Sequence, residues 1–148
     1  DICLSTDIIV GFPGESASDF EATMNLVTEI GFDQSFSFVY SPRPGTPAAS
    51  FPDDVTQEEK LARLARLQDQ VNRQARAISE SMVGTVQRVL VERPSVKNER
   101  EMAGKTENNR WINFQADVRL IGQYVDVLVT EALRNSLRGR LHLESEAA

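Results

Sequence analysis

The feature that most restricts the fold of this chain is a change of hydrophobic period at Gly84. Before this glycine, apolar residues recur at helical spacing for about seven turns. After it, apolar and polar residues alternate as they do in half-buried strands. We therefore predict an α/β domain over residues 1–82 that ends in one long helix, and an all-β domain over residues 83–148. The residues of the helical stripe are Leu61, Leu64, Leu67, Val71, Ala75, Ile78 and Met82.

The long helix has a clear start signal. Thr56 and Glu59 have the spacing of a capping box, in which each side chain accepts a hydrogen bond from the other residue's backbone N–H. The apolar stripe is typical of a helix packed on a core. The same stripe could instead close a coiled-coil dimer, and a single helix leaves both interpretations open.

Residues 5–40 are predicted to form a strand, a helix and a second strand. Ser18 and Glu21 have the spacing of a capping box at the start of this helix, and Gly31 is placed to end it in a left-handed conformation. Such a βαβ unit is expected to be right-handed, with parallel strands. One unit cannot cover both faces of a parallel sheet, so we expect a missing N-terminal part to precede Asp1 and supply further strands.

Two Gly/Pro-rich corners follow the two predicted strands, at residues 11–15 and 41–48. The carboxyl ends of parallel strands are where ligands bind in α/β folds, so the pair predicts half of a small-molecule site. Gly11 and Gly14 would let backbone approach a ligand, and the helix that follows favours an anion. The alternative is a tight connection without a ligand. Glu15 is interpreted as a solvated first-turn residue, and Arg43 as a contact to a ligand or an ion-pair partner.

The alternating segments after Gly84 predict a small antiparallel β-barrel, similar to the oligonucleotide-binding type. We place its strands at residues 86–92, 110–114, 125–129 and 136–143. Trp111, Phe114 and Tyr124 could stack on bases, although a barrel of this size also needs large residues inside. Both interpretations stay open from the sequence.

Charge is distributed unevenly along the chain. The net charge is −6, but the residues up to Met82 carry six Lys and Arg against 13 Asp and Glu, whereas the residues after it carry ten against nine. This asymmetry suggests two modules with different partners. In the second module, basic and amide side chains at turns and strand ends could contact phosphates, base edges and ribose. We predict RNA contacts by Lys97, Arg100, Lys105, Asn108, Asn109, Arg110, Arg134 and Arg138.

Cysteine and hydropathy exclude several classes of protein. The single cysteine, Cys3, excludes an internal disulfide framework and a metal site built from cysteines, and we interpret it as a small apolar residue at a strand start. No residue is assigned a catalytic or metal-binding role. The longest apolar run is far shorter than a membrane span, and no signal-peptide pattern is present. We expect a cytoplasmic protein without a membrane partner.

An ordered set of segments along nearly the whole chain resembles the C-terminal part of the radical-SAM methylthiotransferases. The second corner resembles the tRNA-modifying members of that family, because Arg43 and Pro44 stand where relatives that modify a ribosomal protein carry an acidic residue. The segments are TDIIVGFPGE at residues 6–15, DFE at 19–21, FVYSPRPGTPAA at 38–49, KLARL at 60–64, GKTENNR at 104–110 and NSLRG at 135–139.

The resemblance implies the C-terminal part of a partial TIM-type radical-SAM barrel (βαβα), followed by a TRAM domain, which is a small RNA-binding barrel. It implies a parent enzyme with two [4Fe-4S] clusters and S-adenosylmethionine, which adds a methylthio group to C2 of N6-isopentenyladenosine beside the tRNA anticodon. The anticodon stem-loop would be the RNA partner. The CxxxCxxC triad is absent here, so the chain alone is expected to hold no cofactor and to be inactive.

By the same resemblance, Gly11, Phe12, Pro13, Gly14 and Arg43 would border the S-adenosylmethionine pocket. Two alternatives remain at this stage. The chain could be a stand-alone RNA-binding module, or a structural fragment that pairs with another subunit and carries no chemistry.

Overall fold

A computed structural model describes residues 2–142 of the chain. The predicted tail at residues 144–148 and the last residue of the predicted strand, Leu143, lie outside the described residues. The chain divides into two compact units, one up to Ala75 and one from Arg76. None of the helices in the described part is both long enough and apolar enough to cross a membrane.

The first unit contains a parallel pair of strands and two helices, and the second helix continues past the boundary of the unit. The strands are paired in register from Ser5 opposite Gln34 to Val10 opposite Val39, which confirms the predicted parallel arrangement. A short 3-10 helix, Pro47–Ser50, precedes the long helix. The elements are β1 (Ser5–Val10), α1 (Ala17–Ile30), β2 (Gln34–Val39) and α2 (Gln57–Ser81).

The core of this unit lies between one face of the sheet and the two helices. Its buried members are Val10, Phe20, Met24, Val27, Leu67 and Val71. The predicted stripe of α2 is wrong at its first residue, since Leu61 is exposed while the neighbouring Lys60 is buried. Cys3 is exposed ahead of β1 and fills no core position.

The capping box of α1 lies two residues earlier than predicted. Ser16 is the N-cap: its hydroxyl accepts from the Asp19 N–H at 3.1 Å, and Asp19 accepts from the Ser16 N–H at 2.9 Å. The predicted partner Glu21 instead pairs with Arg66. The other signals are confirmed, because Gly31 ends α1 with φ 71° and Thr56 and Glu59 form the expected box.

The second unit is a closed five-stranded barrel with strand order β3-β4-β5-β7-β6. The five strands are β3 (Val86–Pro94), β4 (Glu101–Thr106), β5 (Trp111–Gln115), β6 (Tyr124–Ala132) and β7 (Leu137–Leu141). A 3-10 turn at Val118–Leu120 separates β5 from β6. A five-stranded closed barrel fits the predicted similarity to the oligonucleotide-binding type, but the prediction that it is antiparallel is wrong for one pair, because β5 and β7 are parallel.

Two glycines allow neighbouring strands of the barrel to lie close together. Inward side chains form a continuous core that includes Val89, Ile112 and Phe114. Gly104 on β4 leaves no space for a side chain, since a Cβ there would lie 2.5 Å from the Leu90 carbonyl oxygen. The same holds for Gly139 on β7 against the Leu128 carbonyl oxygen, at 2.6 Å.

Candidate functional site

The two Gly/Pro-rich corners lie side by side at the carboxyl ends of β1 and β2. The Tyr40 N–H donates to the Val10 carbonyl at 2.8 Å, which extends the strand pairing into the corners. The rings of Phe12 and Tyr40 meet edge to face at 5.2 Å, and Phe51 approaches Phe12 at 6.3 Å. Phe12 and Phe51 remain about half exposed, whereas Tyr40 is buried. The two corners are therefore adjacent in space, and the small-molecule site stays a prediction.

Ion pairs from the first turns of α2 hold the first corner in place. The Arg63 guanidinium contacts the Glu15 carboxylate at 2.7 Å, with both side chains 12% exposed. The same carboxylate accepts from the Gly11 N–H at 3.0 Å. The prediction that Glu15 is a solvated first-turn residue is wrong, because Glu15 precedes the helix and its side chain is largely buried in this ion pair.

A second ion pair lies directly beneath Gly11. The buried Lys60 ammonium contacts Asp53 at 2.5 Å and lies 5.4 Å from the centre of the Tyr40 ring. A Cβ at Gly11 would overlap the Cγ of Lys60, and Gly11 also has φ 72°. The sequence did not identify Lys60 as a site residue, because a lysine beside a leucine stripe is ordinarily solvent-exposed.

The donors of the first corner are already used within the protein. The Gly14 N–H donates to Asp54 at 2.8 Å, and the Gly11 N–H donates to Glu15. This corner therefore presents an aromatic wall to a ligand, with few free backbone donors for an anion. Arg43 is exposed in the second corner, and no described residue forms an ion pair with it. Pro13 is half-buried in the first corner.

A row of outward side chains crosses four strands of the barrel. The strand register places Leu90 on β3 opposite both Tyr124 on β6 and Lys105 on β4, and Lys105 opposite Trp111 on β5. Tyr124 is 61% exposed, and Trp111 is half-buried. We call this set, Tyr124, Leu90, Lys105 and Trp111, the outer row. Of the three aromatic candidates, only Phe114 lies in the core.

Three cations lie on the rings of the outer row. The Arg88 guanidinium is 4.6 Å from the centre of the Tyr124 ring, and the Arg93 guanidinium is 4.7 Å from that of Trp111. The Lys105 ammonium lies 5.0 Å from the same indole. Aromatic rings interleaved with cations are typical of single-stranded nucleic-acid surfaces. Sequence reasoning missed Arg88 and Arg93, although the alternation of β3 places Arg88 outside.

The predicted RNA contacts lie at both ends of the barrel. Lys97 and Arg100 are exposed in the β3–β4 turn. The antiparallel pairing places the β4–β5 and β6–β7 turns at the opposite end. That end carries Asn109, which adopts φ 65°, and the exposed Arg134. The predicted set therefore does not form one patch.

Three members of the predicted set are engaged within the protein. Asn108 accepts from the Thr106 hydroxyl at 2.6 Å, and its amide lies 3.2 Å from the Met82 sulfur. Arg110 donates from Nε to the Ser79 hydroxyl at 2.8 Å. Arg138 pairs with Glu101 at 3.3 Å. These bonds support the barrel structure, and their RNA contacts stay a prediction.

A metal site needs several ligating side chains close together. The part of the chain that the structure describes contains no group of three or more His, Cys, Asp or Glu side chains that could hold a metal ion. The full sequence has one cysteine, whereas an iron-sulfur cluster takes several thiolates. The residues present here therefore do not fit a cluster.

Sequence comparison adds an independent observation. Residues 80–142 match the TRAM domain family. The chain is 60% identical, over 99% of its length, to a tRNA-2-methylthio-N(6)-dimethylallyladenosine synthase of Xanthomonas euvesicatoria, and 62% identical over 97% to that of Stenotrophomonas maltophilia. The chain is therefore similar to these synthases over nearly its whole length. It spans about 30% of the length of the synthases that it matches, and a Xanthomonas campestris member shows the same proportion.

Proposed function

We propose that this chain is the C-terminal part of a tRNA methylthiotransferase, with an RNA-docking barrel and a segment of the cofactor-binding wall. The observation that carries the proposal is the identity of about 60% to synthases of this kind over nearly the whole chain. The parent reaction would add a methylthio group to C2 of an isopentenylated adenosine. We further propose a cytoplasmic location.

The barrel is the part that would contact tRNA. Residues 80–142 match the TRAM family, and the outer row combines two accessible aromatic rings with Arg88, Arg93 and Lys105. Cations bind phosphates and rings stack on unpaired bases, as an anticodon loop requires. The exposed turn residues Lys97, Arg100 and Arg134 would add phosphate contacts at the two ends.

The first unit would supply part of the wall around S-adenosylmethionine. Its two corners meet at the carboxyl ends of parallel strands, with Phe12 and Phe51 half exposed. Such rings suit an adenine face, and the exposed Arg43 suits a carboxylate or phosphate. Two [4Fe-4S] clusters would be held outside these residues, and the radical-SAM barrel would be completed by strands that pair with the β1–β2 sheet.

The decisive experiment is biochemical analysis of the full-length gene product. We expect iron and sulfide in amounts that fit two clusters, and methylthiolation of isopentenylated tRNA. An upstream coding region without a CxxxCxxC motif would overturn the enzymatic part of the proposal.

RNA docking is tested separately, by binding of an anticodon stem-loop to the 148-residue chain. The logarithm of the affinity should fall linearly with the logarithm of salt concentration, because phosphate contacts release counterions. Binding without salt dependence would argue against phosphate contacts. If the full-length product binds the stem-loop but contains no iron-sulfur clusters, a stand-alone RNA-binding module would be supported instead.

A further inference from the structure

A surface pocket of about 390 Å³ opens on the outside of the barrel, and three members of the outer row line it. Its lining is formed by side chains of β3, β4 and β6 and of the turn after β4. Tyr124 and Leu90 provide its apolar surface, Arg88 and Lys105 provide cations, and Glu92 and Glu107 provide carboxylates. All of these belong to the second unit, whose barrel is closed by its own strands.

We infer that this pocket binds one unpaired RNA base, and that it prefers bases with an exocyclic amino group. The inference rests on the proposed RNA docking and identifies which ring, cations and carboxylates receive a base. It goes beyond phosphate binding, because the lining contains both signs of charge.

The stacking partner would be Tyr124. Tyr124 is 61% exposed even though the Arg88 guanidinium lies 4.6 Å from the centre of its ring, so much of the side chain remains accessible. Because the side chain lies outside the barrel core, it contributes little to core packing. Base stacking on such a ring tolerates any base, and therefore gives affinity without selectivity.

The carboxylates would provide the selectivity. Glu92 and Glu107 can only accept hydrogen bonds when ionised, and they would repel a phosphate. Arg88 and Lys105 would bind the phosphates that flank the base. Cytosine offers an amino group to a carboxylate, whereas uracil offers one N–H between two carbonyl oxygens, which a carboxylate repels.

The test compares short single-stranded oligonucleotides of cytidine and of uridine, which differ little in ring size. Binding to the 148-residue chain is measured by fluorescence anisotropy of a labelled oligonucleotide. We expect cytidine to bind about fivefold or more tightly than uridine, as one good carboxylate contact allows. Trp111, the single tryptophan of the sequence, lies in the outer row, and its fluorescence should change on binding.

Variants then assign the roles. Tyr124→Ala should weaken cytidine binding about tenfold and Tyr124→Phe should restore it, since the ring is what stacks. Glu107→Gln should reduce the preference for cytidine over uridine, because an amide also donates to carbonyl oxygens. Arg119→Ala is a control for changes outside the pocket: Arg119 is exposed and pairs with Asp117, so this variant should leave the preference for cytidine unchanged.

Equal binding of cytidine and uridine by the unmodified chain would overturn the inference, and so would unchanged binding by Tyr124→Ala. Circular dichroism of each variant establishes that the barrel is folded. If the anticodon stem-loop binds while neither oligonucleotide does, the base pocket is wrong and the proposed docking function stands. If nothing binds, both fail.

Discussion

Gly11 and Lys60 depend on each other. The lysine stem lies where a side chain at position 11 would lie, and its ammonium reaches Asp53 beneath the corner. A buried ammonium is stable only when it is paired, so the two corners and the start of α2 share one contact region. The glycine is therefore required both for its positive φ and for the space that it leaves.

Gly11→Ala should destabilise the first unit by about 2 kcal/mol or more. The left-handed conformation costs alanine roughly 1–2 kcal/mol, and displacement of the Lys60 stem adds to this. Urea unfolding followed by the helical circular dichroism signal measures the loss.

Gly14→Ala is the matched control for this experiment. Gly14 has φ 83°, but no atom lies within 4 Å of the position that a Cβ would take there. It should therefore show the conformational cost alone. Equal losses for the two variants would contradict the role of Lys60.

Residue patterns predicted some of these contacts and missed others. The glycines of the first corner and the left-handed cap at Gly31 were predicted, because a turn or a helix end requires glycine for reasons that lie in neighbouring residues. Lys60 could not be predicted, because its burial depends on Asp53 and Tyr40, which lie in a loop of irregular path. The position of Ser16 as N-cap was missed because Ser16 and Ser18 both have an acidic residue three positions later.

At the scale of elements, the two helices in the first unit begin with acidic capping boxes. Hydrogen bonds from the Ser16 hydroxyl and backbone N–H lower the pKa of Asp19. Hydrogen bonds from the Thr56 backbone N–H and hydroxyl lower the pKa of Glu59 from its ordinary 4.5. Each carboxylate is therefore held in its ionised form by the start of its helix.

Both helices should lose stability in acid. Because the folded-state pKa values lie below the unfolded ones, each cap contributes its full stabilisation above about pH 4.5, and loses it as the pH falls through the folded pKa. Helical circular dichroism between about pH 6 and 2 measures this loss of stability, because the range spans the titration of both carboxyl groups. Glu59→Gln should reduce the pH dependence of the helical signal that comes from α2. An unchanged pH profile would contradict the role of the Glu59 cap.

Strand β4 shows why one element escaped prediction. Its inward positions are Met102, Gly104 and Thr106, with a glycine where strand patterns call for a β-branched residue. The glycine is required by tertiary packing, since β3 approaches too closely for a side chain. The local sequence therefore disfavoured a strand at this position, whereas packing within the barrel requires one.

Gly104→Ala should destabilise the barrel by about 1–3 kcal/mol, which is the usual range for overpacking. Its Cβ would meet the Leu90 carbonyl oxygen at 2.5 Å, and a backbone atom cannot rotate away. Urea unfolding followed by Trp111 fluorescence reports the change. Ala103→Gly, on the neighbouring position, removes a side chain without adding one and serves as the comparison.

At the scale of the whole molecule, the two units differ in how their sheets are completed. Within the described residues, the sheet of the first unit has two strands, and its open face carries Ile9, Phe36 and Phe38, each more than half exposed. A two-stranded sheet is marginal by itself. The barrel has a neighbour for every strand on both sides.

Hydrogen exchange of the 148-residue chain should therefore separate the two sheets. Amides of β1 and β2 should exchange faster than those of the barrel strands, because local opening costs less where pairing and burial are incomplete. Exchange in β1 and β2 as slow as in β3 would show that this sheet is stable without additional strands.

The sequence predicted the division into an α/β and an all-β part, because the hydrophobic period carries that information. It did not predict the parallel pairing of β5 with β7, which depends on the path of the connection between β5 and β6. Nor did it predict that Tyr124 faces outward, since alternation defines two faces of a strand without showing which one is covered.

The pairing of β3 shifts by one residue between Val91 and Arg93, and this irregularity decides where a charge goes. Val89 and Val91 point inward, so strict alternation would carry the side chain at position 93 into the apolar interior. The extra residue turns that guanidinium onto the indole outside. Because residue 92 is the extra one, its loss would leave Arg93 opposite Ala103 on the outer face and would only make the ladder regular. Position 92 should therefore tolerate loss of one codon better than its neighbours in β3, where the same loss would exchange the inner and outer faces of the strand.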